Sequence, residues 1–425
     1  MKNMRKHAPE VAPRPLVHSA SPHSWWAALP ALILCTWVLW APNAGALGFR
    51  IPNQDASAIA RGNAFVATAD NPSALYYNPA GITQLEGQHI QAGSLLYLGI
   101  YGDYESPTGA SVHNNPEVLA APTLQYTFSP EGLPLSFGLG IYEPFGYSVD
   151  WPDNVPFRQE AIKASLDYIT INPVVAWKVV PSLSISAGPT FNYSKVDLVQ
   201  GLLPAPYPSI AGAQAEFKGD SWSYGFNVGL LWQPLPQWSF GASYRSSSRM
   251  NYQGNFSMQS PLGSSSSAAS SSIDFPQIAI GGISFRPTPK WNIEFDLDWA
   301  DWSSVDALTI PPPVGLSRPL DWHSTFMYEI GVTRYFDNGY YLSAGYFFSP
   351  ASTSTQYFTP LVPDTDLHVG SIGGGYKGKH WDWAAAFQFI AGGWRSATAD
   401  PAYAVVDGQY RIFTPTLSFT VGYHF

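Results

Sequence analysis

From residue 87 onward the chain alternates. Trp222, Tyr224, Phe226, Val228, Leu230 and Trp232 fall on one side of a stretch whose other side is Ser223, Gly225, Asn227, Gly229 and Leu231. A period of two puts successive side chains on opposite faces of a strand. Trp291, Ile293, Phe295, Leu297 and Trp299 repeat the pattern against Asn292, Glu294, Asp296 and Asp298. An apolar face with tryptophan at both ends suits a strand whose outer side meets lipid and whose ends lie at the two membrane-water interfaces. Three carboxylates on the opposite face require a wet lumen or basic partners.

Turn signals divide the alternation. Six short links, at 129–134, 180–182, 234–237, 287–290, 336–339 and 377–380, interleave with seven long ones, at 102–117, 146–161, 199–214, 259–272, 310–320, 350–365 and 395–409. They predict fourteen strands, hence an all-β fold: a transmembrane antiparallel β-barrel of about 14 strands with its short turns on the periplasmic side. The serine-rich run 264–272 reads as a flexible loop tip. Two stretches depart from the alternation. Residues 47–85 contain Pro72, Pro79, Gly62 and Gly81 among small residues, which predicts compact irregular structure in place of a long helix or paired strand. Ahead of a run of strands, such a segment can fill the lumen. The second departure is Glu143, Pro144, Phe145 and Gly146, where a strand starting at Leu135 meets a residue with no amide hydrogen and then a glycine, so pairing should break there. An ordinary strand end before an outer loop is the competing reading.

Composition narrows the class. Charged residues are 12% and aromatics 15%, yet the mean hydropathy is -0.06. That combination suits strands with polar inner faces better than spanning helices. Lys2, Arg5, Lys6 and Arg14, then an apolar stretch from Trp25 to Trp40, then Ala44, Gly45 and Ala46 read as a signal peptide over 1–46. The remaining domains are an N-terminal hatch over 47–86 and the barrel over 87–425. Cys35 is the single cysteine, so the exported chain forms no disulfide. Losing the leader removes four of 21 basic and one of 30 acidic residues, moving the net charge from -9 to -12; a nucleic-acid partner is excluded.

The search for catalysis yields no Gly-x-Ser-x-Gly, Gly-x-Gly-x-x-Gly or phosphate-binding lysine loop, and no histidine pair at metal-ligand spacing. The expectation is no enzyme, no metal and no cofactor. An outer-membrane acyl hydrolase and a general or solute-specific porin remain as alternatives. Phe425 ends the last strand and the chain, and reads as the signal recognised by the barrel assembly machinery.

The stretch 70–81, with Asn71, Pro72, Tyr76, Tyr77, Asn78, Pro79 and Ala80, resembles the hatch of the long-chain fatty acid transporters of the Gram-negative outer membrane, a family that includes toluene-uptake channels. Residues 144–153 with 158–165, 219–246 and 289–302 resemble it in the same order. The resemblance implies a monomeric barrel in outer-membrane lipid that passively takes up fatty acids, alkanes or aromatic hydrocarbons. It also implies a third strand kinked inward at Pro144 and Gly146, opening a lateral gap beside Phe145, and a basic residue just before the fourth strand. Arg158 takes that position and Lys163 follows it; either offers a charged partner to a fatty-acid carboxylate. A salt bridge from Arg158 to Asp153 or Glu160 is the competing role. Leu202, Leu203 and Tyr207 in the third long loop make a greasy surface where a substrate could dock, unless they pack on one another.

Overall fold

The computed structural model describes residues 47–202, 213–261, 263–312 and 314–425. The leader, Leu203 and Tyr207 lie outside the described residues. The wall strands in chain order are β1 (Gly87–Tyr97), β2 (Leu119–Ser129), β3 (Leu135–Asp150), β4 (Lys163–Val180), β5 (Leu183–Gly201) and β6 (Gln214–Leu235). β7 is made of Trp238–Arg245 and Ser248–Ser260, and β8 of Gly263–Phe275 and Ile278–Thr288. They are followed by β9 (Trp291–Ala300), β10 (Thr325–Tyr335), β11 (Tyr340–Ser349), β12 (Leu367–Lys377), β13 (Trp381–Gly392) and β14 (Gly408–His424). Neighbours pair antiparallel all the way round, and the ring closes where His89 of β1 faces His424 of β14 and Tyr97 faces Thr416. Closure leaves no free sheet edge to lipid except where pairing is deliberately broken.

The alternation becomes the two faces of this wall. On β6, Trp222, Tyr224 and Phe226 are 56%, 71% and 49% exposed while Ser223 and Asn227 on the opposite face are buried. Several expected loops carry short strands, among them Ser111–His113, Leu316–Pro319 and Arg395–Ala397, and two others differ further. The serine-rich run lies in β8, where Ser272 pairs with Asn251 and Ser264 with Gln259 of β7. Backbone pairing needs no large side chains, so a hairpin projecting beyond the apolar belt can be built from serine, and composition alone misreads it. The connection expected from Gly146 starts only after Asp150, because β3 passes the proline with a register shift between Tyr142 and Phe145.

Residues 47–85 form two single-turn helices, α1 (Ala56–Ile59) and α2 (Ala74–Tyr77), and the 3₁₀ helix Pro79–Gln84. Asp55 caps α1 by accepting from the amides of Ser57 and Ala58. Inner-face side chains all round the ring hold this segment. Gln91 of β1 donates to Asp55 at 3.0 Å, Ser239 of β7 to the Ala67 carbonyl at 2.5 Å, and Asn53 to Gln388 of β13 at 2.7 Å. Ala56 donates its amide to Thr420 of β14 at 3.1 Å. A segment bonded to strands on every side lies inside the ring. Gly62, at φ 65°, shows how tight the fit is: a Cβ there would sit 2.6 Å from the Tyr346 amide nitrogen.

Candidate functional site

The wall is broken between β2 and β3. Their pairing runs only from Phe128 opposite Phe137 to Leu124 opposite Ile141. Beyond that point Leu119 to Thr123 still pair with β1 on their other side, and β3 still pairs with β4, so the two strands separate as finished ribbons. Pro144 and Gly146 sit where β3 turns away. The freed edge of β3 is taken up from inside by the start of the described chain: Ile51 donates its amide to the Pro144 carbonyl at 2.9 Å, and Gly146 donates to Phe49 at 2.9 Å. Above the gap the Asn115 amide reaches the Asp150 carbonyl at 2.7 Å. The expected break therefore falls in the pairing with β2, while β3 itself stays continuous.

Two cavities meet behind this gap. The first, about 410 Å³, is lined largely by apolar groups such as Leu166, Val196, Leu198, Leu308 and Trp322. The second, about 300 Å³, reaches from Leu119, Ala120 and Ala121 on β2 to Glu143, Gly146 and Tyr147 on β3. Both are lined by Tyr147, Ser165, Leu166 and Val362. Phe49 stands beside them in a cluster of rings, with centroids 4.9 Å from Trp302, 5.3 Å from Phe275 and 6.2 Å from Phe145. Edge-on aromatic packing of this kind adds roughly 0.5–1.5 kcal/mol per pair.

The row of carboxylates on β9 is buried and serves as a rail for the inner segment. Glu294 accepts the amides of Ala67 and Thr68 at 2.7 and 3.0 Å and the Thr68 hydroxyl. Asp296 accepts those of Phe65 and Val66 at 2.7 and 2.8 Å. Asp298 takes the guanidinium of Arg50 through two bonds of 2.8 and 2.6 Å. One strand thus grips the plug-like segment and the residues beside the gap. Asp298→Ala would leave Arg50 buried without its partner and should cost about 3–5 kcal/mol, read as a lower temperature of heat modification on gels. The exposed pair Lys290 with Asp337, at 2.6 Å, is the control; Lys290→Ala should cost about 0–1 kcal/mol. Equal effects would mean the buried pair carries no special weight.

The expected hatch residues act as internal connectors. Asn71 donates to Asp55 at 3.0 Å and Ser57 at 2.8 Å and accepts from Ser73. Pro72 follows it, with its carbonyl accepting from Leu75 at 3.2 Å. Asn78 donates to the carbonyls of Val66 and, across to β6, Leu230 at 2.8 and 2.9 Å, and accepts from Ala80. Pro79 opens the 3₁₀ helix, where its missing amide costs nothing.

The expected head-group cations separate. Arg158 is buried, paired with Asp153 at 2.6 Å and donating through Nε to the Asp153 carbonyl at 2.8 Å, and it lines neither cavity. A guanidinium folded onto its own turn is spent on holding the loop. Lys163 does line the second cavity. Phe145 and Leu202 pack in the ring cluster and at its edge. Sequence reasoning passed over Phe49, Arg50, Trp302 and Trp322. A signal for Arg50 was present, because Arg50 and Arg61 are the two cations between 47 and 85 and the carboxylate row called for a basic partner.

A closed ring of fourteen strands with an outward apolar belt, an inner segment and a break in the wall defines an outer-membrane transport barrel. The chain belongs to the outer membrane protein transport protein (OMPP1/FadL/TodX) family, which it matches over residues 37–399. It is 22% identical over 372 residues to a long-chain fatty acid transport protein of Escherichia coli O6:H1, covering 77% of this chain and 83% of that one. A similar protein of Salmonella typhi is 20% identical over 370 residues, covering 79% and 85%. Among solved structures, a Pseudomonas aeruginosa FadL homologue superposes with a TM-score of 0.79 at 19% identity, covering 89% of this chain and 100% of that one. The toluene transporter TbuX of Ralstonia pickettii does so with 0.64 at 17%, covering 87% and 98%.

Proposed function

We propose that this barrel passively takes up hydrophobic compounds such as long-chain fatty acids, with residues 47–86 as a hatch and the gap between β2 and β3 as a side door into the bilayer. The observation that carries the reading is the end of wall pairing at Leu124 and Ile141, with a cavity lined by both separated strands behind it. An apolar chain gains about 0.8 kcal/mol for each methylene it buries, so a water-filled route the length of the membrane would hold it back and a sideways exit into lipid would not. The compound would reach the apolar first cavity, pass Tyr147 and Leu166 into the second, and leave through the gap. A porin needs an open lumen; the inner segment bonded to β1, β7, β9, β13 and β14 weighs against one. Mass spectrometry of small molecules extracted with the purified barrel tests the reading, which fails if no hydrophobic compound is recovered and none binds.

Charge decides which cation meets a head group. The second cavity presents Glu117, Glu143, Asp167 and Asp364 against Arg50 and Lys163, and Arg50 is committed to Asp298. Lys163→Ala should therefore weaken fatty-acid binding about tenfold, the scale of one charged partner near a carboxylate, and leave a neutral hydrocarbon of similar length unchanged. Equal affinity for both ligands in native and variant barrels would remove the head-group role of Lys163.

A further inference from the structure

One carboxyl stands in the gap without a partner. Glu143 lies just past Ile141, the last residue of β3 that pairs with β2. Phe137 and Leu139, 41% and 42% exposed, mark the lipid side of β3, and the period of two carries that side on through Ile141 to Glu143. The half-buried Glu143 side chain therefore meets the second cavity where β2 has left the wall, opposite Leu119, Ala120 and Ala121. An ionisable group at membrane depth is costly and calls for a partner.

No described residue supplies one. Neither a hydrogen bond nor an ion pair reaches the carboxylate oxygens of Glu143 among the described residues. Gln54 comes close but spends both amide hydrogens on backbone, donating to the carbonyls of Glu143 at 2.7 Å and Ile51 at 2.8 Å. The charge that acts on Glu143 is Asp167, of the same sign. Lys163 is out of reach, because it pairs with Asp150, which lies roughly 23 Å further along β3 at about 3.3 Å per residue. The acceptor is left for whatever passes. A polar group that sheds its water on entering lipid leaves donors bare unless the wall offers an acceptor at that point.

We propose that Glu143 is the specificity-determining residue of the gap, accepting a hydrogen bond from the polar end of a departing compound and so favouring amphiphiles whose head group is a donor, a hydroxyl or an ammonium. That such compounds leave through the gap rests on the uptake reading above; the binding of a donor head group by Glu143 does not. A carboxylate held at Lys163 does not compete, since the two side chains serve opposite ends of the cavity.

Benzyl alcohol, benzylamine and toluene are the probes, one ring carrying a hydroxyl, an ammonium or neither. Equilibrium dialysis of each radiolabelled compound against the purified barrel, with detergent matched on both sides, reads binding. Glu143→Leu removes the acceptor; it should weaken both donors about tenfold or more, the scale of a hydrogen bond to a charged group, and bind toluene no less tightly than the native barrel. Glu143→Gln keeps a carbonyl oxygen without the charge, so it should weaken benzylamine as much and benzyl alcohol less, which tells the two head groups apart. Loss of one donor alone assigns the site to that head group. Glu143→Ala takes the place of Glu143→Leu if that barrel does not assemble. Unchanged binding of both donors, or a loss of toluene as large as theirs, overturns the role. In cells, Glu143→Leu should slow delivery of the donors that bind severalfold relative to toluene; equal relative delivery by the two barrels overturns the selectivity even where binding falls. Native cells that deliver toluene no faster than cells without the barrel would instead overturn the uptake reading and leave the dialysis result to decide the site.

Discussion

Deleting residues 67–80 is expected to raise ion conductance in planar bilayers by an order of magnitude or more. The deleted piece carries the Ala67 and Thr68 amides that Glu294 accepts and the Asn78 amide that crosses to the Leu230 carbonyl of β6. It also includes the carbonyl of Ala67 that takes the Ser239 hydroxyl of β7. The ring should survive, because strand pairing passes from β1 round to β14 without using this segment. What remains facing the lumen is acidic: Glu294 would lose its donors to water and stand near Asp296 and Glu329 on the inner face. A wide channel lined by carboxylates should prefer cations, so the deleted barrel should show a cation-selective reversal potential. Should conductance before and after deletion be equal, the segment does not close the lumen.

The second large effect concerns the gap. Pro144→Val with Gly146→Val should cut uptake of a hydrophobic compound by about tenfold or more, provided the side door is the main exit, while the barrel still assembles. Valine at 144 restores an amide hydrogen and a strand-forming residue. Valine at 146 acts on the segment that occupies the edge, since even a Cβ there would stand 2.8 Å from the Ile51 Cδ1 atom. The amides of Gly146 and Ile51 that now bond Phe49 and Pro144 would be released. The edge of β3 would then be free to zip against Leu119 to Thr123 and extend the pairing past Ile141. Uptake measured in cells, with heat modification on gels as the check on assembly, separates the outcomes. A normally assembled double variant with unchanged uptake rules out the lateral route.

What could be read from the chain beforehand follows from which forces are local. Alternation with a period of two, punctuated by short and long links, is a property of each strand and its nearest turns. The fourteen strands, the lipid-facing side of Trp222 to Trp232 and the outer-membrane setting were therefore legible in the residues. The irregular character of residues 47–85 was legible for the same reason, through proline and glycine. Pro144 and Gly146 marked a disturbance, though neither residue could say which neighbour β3 would lose.

The remainder was decided in three dimensions. Ser264 to Ser272 became strand because Asn251 to Gln259 offered it a backbone partner, which serine's own propensity does not announce. Arg158 turned back onto Asp153, five residues away, and left the cavity to Lys163; a sequence lists both cations but not the direction in which either points. The carboxylates of Glu294, Asp296 and Asp298 called for a wet lumen or basic partners, and only the fold shows that they accept four backbone amides and one guanidinium, from residues more than two hundred positions earlier. Composition and period are set by bonds between neighbours along the chain. Buried charge must find its counter-charge wherever closure of the ring brings one, and that choice belongs to the tertiary structure.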